Sequence, residues 1–152
     1  MRDDLRQLYQ QVILDHSRSP RNFRRPAQPT CEAHGNNPMC GDALAVFLVV
    51  DDHDVIADAA FEGQGCAISL ASASLMTEIL KGRTVTEAER LFDAFHRLCT
   101  ANEPDDSGSG WEADARERLA VFEGVRAFPV RIKCATQQQV KAALALAEGE
   151  LQ

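Results

Sequence analysis

The sequence has no Cys-x-x-Cys pair, no long apolar run and no excess of positive charge, and each absence removes a class of protein. Without a run of about 20 apolar residues there is no candidate for a membrane-spanning helix. The 16 Lys and Arg residues against 23 Asp and Glu leave a net charge of −7. That balance argues against non-specific binding to nucleic acid, whose phosphates need a basic surface. It favours solubility and suits a basic protein partner. The opening Met1-Arg2-Asp3-Asp4-Leu5 lacks the basic-then-apolar layout of a secretory signal, so a cytoplasmic protein is expected. Disulfides are rare in that compartment, and the cysteine count of 5 is odd. Reduced thiols are expected, some of them metal ligands or nucleophiles.

What is present fits one domain. The 152 residues are 45% hydrophobic and 26% charged, enough for a core of ordinary composition. Leu5, Leu8, Tyr9, Val12 and Ile13 recur at helical spacing, with Asp3 or Asp4 as cap, and the helix should stop near His16. Thr30 to His34 alternates as a short strand does. Asp42 to Val50 and Val55 to Phe61 flank the turn Asp51-Asp52-His53-Asp54 and predict a hairpin. From Ile68 the period becomes helical until Lys81-Gly82. Thr86 and Glu89 then form a capping-box pattern ahead of a helix carrying Leu91, Phe92, Phe95 and Leu98. Residues 102–110 read as a flexible loop, Glu112 to Phe122 as a helix, and Thr136 as the cap of a last helix. One helix, a small three-stranded antiparallel sheet and then several helices predict an α+β fold.

Three of the cysteines sit at glycine- or proline-marked corners. Cys40 lies in Asn37-Pro38-Met39-Cys40-Gly41-Asp42, Cys66 in Gly63-Gln64-Gly65-Cys66, and Cys134 in Phe128-Pro129-Val130-Arg131-Ile132-Lys133-Cys134. An inert cysteine is expected inside an apolar run instead. Gly41 adds no bulk between Cys40 and Asp42, so both side chains can reach one centre. Cys66 opens a predicted helix and Cys134 precedes one, and the N–H groups of a helix N-terminus suit a thiolate. Arg131 and Lys133 add positive charge beside Cys134. Three thiolates and the Asp42 carboxylate would complete a tetrahedral set for zinc. Spacing alone leaves two readings open: three thiols meeting at one metal, or three unrelated buried thiols.

At NNPMCGD (Asn36 to Asp42), FEGQGCAISLASASLM (Phe61 to Met76) and GVRAFPVRIKCAT (Gly124 to Thr136) the chain resembles the U-type (IscU/NifU-like) iron–sulfur cluster assembly family, and within it the SufU branch. Leu8 to His16 with Ser19-Pro20-Arg21-Asn22 is similar as well. The likeness runs in order through nearly the whole chain. It implies a SufE/NifU-like α+β domain over residues 1–152, with a SufU-like helical insertion around 83–123.

The resemblance also implies zinc ligands Cys40, Asp42, Cys66 and Cys134, with Cys40 as sulfur acceptor and Arg131 near the acceptor thiol. The implied partners are a SufS-like pyridoxal-phosphate cysteine desulfurase and a downstream SufBCD-like cluster scaffold. In this branch the desulfurase is thought to offer zinc a histidine that displaces the acceptor thiolate. Scaffold members place a histidine before the last cysteine, where this chain has Lys133. The implied activity is that of a zinc-dependent sulfurtransferase. The alternative is a scaffold that assembles a [2Fe–2S] cluster on the same ligands. Cys31 and Cys99 match no ligand position and are expected to pack, as is the Ala/Ser run Ala71 to Ser74. His16, His34, His53 and His96 are expected at surface or capping positions. Trp111 is expected to anchor the loop beside it or to touch a partner.

Overall fold

The computed structural model describes residues 2–37, 42–100, 111–127 and 143–144. In chain order these form α1 (Arg2–Arg18), β1 (Cys31–Asn37), β2 (Asp42–Val50), β3 (Ile56–Gln64), α2 (Ala67–Leu80), α3 (Val85–Thr100), α4 (Trp111–Leu119) and a 3-10 helix (Ala120–Ala127). The three strands make one antiparallel sheet in the order β1-β2-β3, as the α+β expectation required.

Strand β2 is central, and its register explains the nearly unbroken apolar run. Leu44, Val46 and Leu48 face the core beside Ala33 and Cys31 of β1 and Phe61 and Ala59 of β3. Ala45 and Phe47 point to the opposite face and are also buried. There the Arg25 guanidinium lies 4.5 Å from the Phe47 ring centroid and pairs with Glu32 and Glu62. A strand covered on both sides has no polar face to alternate.

The outer edge of β3 is closed by the segment that follows α1. Phe61 N donates to Asn22 O at 3.0 Å, and Arg24 N donates to Phe61 O at 2.9 Å. Arg24 then grips Asp58 through both guanidinium nitrogens, at 2.8 and 2.7 Å. At Phe61 the outward backbone groups of this edge are therefore occupied and not open to another strand.

Helix α2 is buried on almost every side, its run Ala71, Ser72, Ala73 and Ser74 is fully buried, and it packs against α1. The hydroxyl of Ser74 ties the two helices. It accepts from Arg21 N at 2.9 Å and lies 2.7 Å from His16 Nδ1. His16 therefore corrects the surface expectation: it is buried, because α1 runs on to Arg18 and carries residue 16 under α2. His34, by contrast, is exposed and sits on Glu32, and His53 is exposed in the hairpin turn. Cys31 and Cys99 are buried in the core as expected, and burial raises the Cys31 thiol above its ordinary range. Leu8 departs from the expected stripe of α1 and is 53% exposed.

Burial holds the His16 imidazole below its ordinary pKa, and the nearby Arg21 charge works the same way. A histidine depressed on folding contributes stability that is complete above its unfolded pKa of about 6.5 and is lost as pH falls through the folded value. Asp15 and Glu78 oppose the shift, and Arg118 supports it. Urea midpoints are expected to drop more for the parent than for His16→Gln between about pH 7.5 and about pH 5.5. Equal drops in both proteins would remove His16 as the source.

The capping box is Thr84 with Glu87, not Thr86 with Glu89. Thr84 N donates to Glu87 Oε1 at 2.9 Å, and Glu87 N donates to Thr84 Oγ1 at 3.1 Å. Both pairs have the same spacing, and tertiary contacts choose between them. Val85 N bonds Asp54 O, and Val85 is buried, so the chain turns helical there. Helix α4 ends at Leu119 and tightens into the 3-10 segment, which keeps Phe122 buried against Phe95 at 5.8 Å between ring centroids. Trp111 anchors the start of α4 under the Arg83 guanidinium, 4.3 Å away. The predicted loop 102–110 and the Thr136 cap lie outside the described residues, while Ala143 and Leu144 are helical and buried.

Candidate metal centre

The two hairpins bring one end of the sheet together. Asn37 of β1 pairs with Asp42 of β2, and the next residue of β2, Ala43, pairs with Gln64 of β3. Strand β3 runs through Gln64 and not only to Phe61, and β1 through Asn37 and not only to His34. Those added residues are Gly, Asn, Glu and Gln, which read as turn, yet they extend the sheet to the end where Asp42 opens β2 and β3 leads into Cys66.

Gly63 lets β3 approach β2 closely at that end. Its φ is +125°, a conformation open essentially to glycine alone. A Cβ there would overlap the carbonyl oxygen of Ala43 and come within 3.0 Å of Leu44 Cα. Strand β3 therefore lies against β2 at the point where a side chain would force them apart.

Cys66 follows at once as the N-cap of α2, with extended φ −73° and ψ 170°. Its sulfur accepts from Ser69 N at 3.4 Å and lies 3.6 Å from Ser69 Oγ. A thiol here does what a Ser or Asp hydroxyl or carboxylate usually does at a cap. Cys66 is half-buried, and its sulfur is tethered to the first turn of α2. Sequence reasoning placed Cys66 at a helix start but missed Ser69. The signal was present as a cap residue with a hydrogen-bonding side chain three positions on, the spacing of a capping box.

Of the expected site residues, the structure places Asp42 by its backbone at the start of β2 and Cys66 by backbone and side chain. Cys40, Cys134 and Arg131 lie outside the described residues. Among the described residues no group of three or more His, Cys, Asp or Glu side chains is set to hold a metal ion. Among them also, no helix is long and apolar enough to cross a membrane.

Residues 8–135 match the model of the NifU-like N terminal domain. The chain belongs to that family. Among its relatives, the zinc-dependent sulfurtransferase SufU of Bacillus subtilis (strain 168) is 40% identical over 129 residues, covering 85% of this chain and 82% of the relative. The iron–sulfur cluster assembly scaffold protein IscU of Streptococcus pyogenes serotype M1 is 37% identical over 135 residues, covering 87% and 78%. The crystal structure of a nitrogen-fixing NifU-like protein (N-terminal) from Brucella abortus superposes with a TM-score of 0.78 at 27% identity, over 92% of this chain and 94% of that one. The NifU-like fold is thus the one described here, sheet and flanking helices included.

Proposed function

We propose that this protein is a zinc-dependent sulfurtransferase of iron–sulfur cluster assembly. It accepts persulfide sulfur from a SufS-like pyridoxal-phosphate cysteine desulfurase and passes it to a SufBCD-like scaffold. The observation that supports the reading is 40% identity to a zinc-dependent sulfurtransferase, in a chain whose register sets Ala43, next to Asp42, beside Gln64, two residues before Cys66. The whole chain, 1–152, then acts as one U-type domain in the cytoplasm. Helices α3 and α4 fill the SufU-like insertion around 83–123.

The proposed ligands are Cys40, Asp42, Cys66 and Cys134. Cys40 is joined to Asp42 through Gly41 alone, so its Cα lies within about 7.6 Å of the Asp42 Cα whatever the local backbone. The donor set fits zinc, which takes thiolates and a carboxylate in four-fold coordination. Bound zinc would keep the cysteine ligands deprotonated at neutral pH.

Cys40 is the acceptor in this reading. Its thiolate attacks the outer sulfur of the desulfurase persulfide. A new S–S bond forms to Cys40 Sγ, the old one breaks, and the desulfurase cysteine leaves as thiolate. Sulfur moves without a change in total oxidation level, so the step needs no added oxidant. Arg131 supplies positive charge that favours the attacking thiolate. Cys66, held by its cap, stays in place.

The test measures turnover of a SufS-like desulfurase with and without the zinc-loaded protein, then maps added sulfur by intact and peptide mass. Strong stimulation with added mass on the Cys40 peptide is expected. An active desulfurase that gains nothing and transfers nothing would overturn the reading. The second reading, a scaffold for a [2Fe–2S] cluster on the same ligands, is favoured by the 37% identity to an IscU scaffold. Anaerobic iron and sulfide would then yield a transferable coloured cluster.

A further inference from the structure

We infer that Ser69 is a positioning residue for Cys66, fixing its sulfur as the preset metal ligand that stays bound while others exchange; the inference rests on the metal reading above. One residue makes two contacts to one sulfur atom: Ser69 N donates at 3.4 Å, and Ser69 Oγ lies at 3.6 Å. Both distances suit the large radius of sulfur. Ser69 is 1% exposed, so its hydroxyl is shielded from bulk water and is held beside the thiol. It occupies the first turn of α2, one of the most enclosed elements of the fold, so the donor cannot drift from the acceptor.

With Cys66 as a thiol, its S–H donates to the serine oxygen. A thiolate has no proton to give, so the direction reverses and Ser69 O–H donates to sulfur alongside Ser69 N–H. The two contacts fix the Cys66 side-chain torsion over the first turn of α2. Groups behind a metal ligand act in this way, orienting the donor and tuning its bond to the metal. The cap geometry itself requires Ser69 N–H to point at Sγ, so the orientation exists before any metal arrives.

The test loads the parent, Ser69→Ala, Ser69→Thr and Ser74→Ala with cobalt(II), which reports thiolate ligation through a sulfur-to-cobalt charge-transfer band. Ser69→Ala is expected to bind about tenfold more weakly and to shift that band to lower energy, because the sulfur becomes the stronger donor. Ser69→Thr keeps the hydroxyl and is expected to keep the parent band. Ser74→Ala removes another buried hydroxyl from the same helix, one that serves His16 and Arg21 instead, and is expected to leave the band unmoved. A band and affinity in Ser69→Ala equal to those of the parent would overturn the role of Ser69. A parent that takes up cobalt with no sulfur band overturns the metal reading itself, a separate outcome visible before any variant is made.

Discussion

Cys40→Ala is expected to reduce stimulation of a SufS-like desulfurase to the desulfurase's own basal rate, with no added sulfur on the protein. On the proposed assignment Cys40 is the thiol that attacks. Cys66 is committed to the cap of α2 through Ser69. Cys31 and Cys99 are buried in the core, and burial raises the Cys31 thiol, so neither meets an incoming persulfide. Cys31→Ala and Cys99→Ala are therefore expected to keep full stimulation. Each loses one buried sulfur, at a cost of about 1 kcal/mol of stability. Desulfurase rates and sulfur mapping across the three variants separate the cases. Stimulation retained in Cys40→Ala would move the acceptor role to another thiol, and stimulation lost in all three would point to a damaged fold rather than a missing nucleophile.

Much of this fold is legible in the sequence because its strongest elements carry strong periods. The run Asp42 to Val50 and the helical stripe of Leu91, Phe92 and Phe95 lie where the pattern puts them. What misleads is local chemistry that tertiary contacts overrule. Gly35-Asn36-Asn37 and Glu62-Gly63-Gln64 have the composition of turns, but pairing with β2 holds them in strands. Thr84 and Thr86 offer equivalent caps, and the bond from Val85 N to Asp54 O decides between them. His16 falls where a helix was expected to fray, and only the fold reveals Ser74 beside it.

The site is legible in its parts and not in its assembly. Glycine corners mark Cys40 and Cys66 as unusual cysteines, yet their separation in sequence says nothing of distance. Register supplies the missing step, since it sets Ala43 beside Gln64 and so brings the start of β2 to the start of α2. The Cys66–Ser69 pair has the spacing of a capping box, but only three-dimensional placement shows that both Ser69 N and Ser69 Oγ meet the sulfur.

The close approach of β3 to β2 at Gly63 leaves no room for a side chain, and Gly63→Ala is expected to expose what that approach contributes. Alanine at φ +125° carries strain of about 1–3 kcal/mol. The added Cβ also collides with the Ala43 carbonyl and crowds Leu44 Cα, and both are backbone, which cannot swing aside as a side chain can. Relief requires β3 to lift from β2 near Ala43 and Gln64, losing ladder hydrogen bonds worth about 1 kcal/mol each. A total loss of about 3–5 kcal/mol is expected, a large share of the 5–15 kcal/mol typical of a folded domain. Gly82→Ala supplies the control. Its φ is +85°, but a Cβ there meets nothing within 4 Å, so only the conformational strain of about 1–2 kcal/mol applies. Urea unfolding of both variants reads the difference. A Gly63→Ala midpoint well below that of Gly82→Ala assigns the excess to the collision between strands. The same lifting frees the segment leading into Cys66, so the Cys66 thiol of Gly63→Ala is expected to alkylate faster than that of Gly82→Ala under native conditions. Equal midpoints and equal alkylation would show that the sheet end yields without cost, and that the segment leading into Cys66 is not held by the close approach at Gly63.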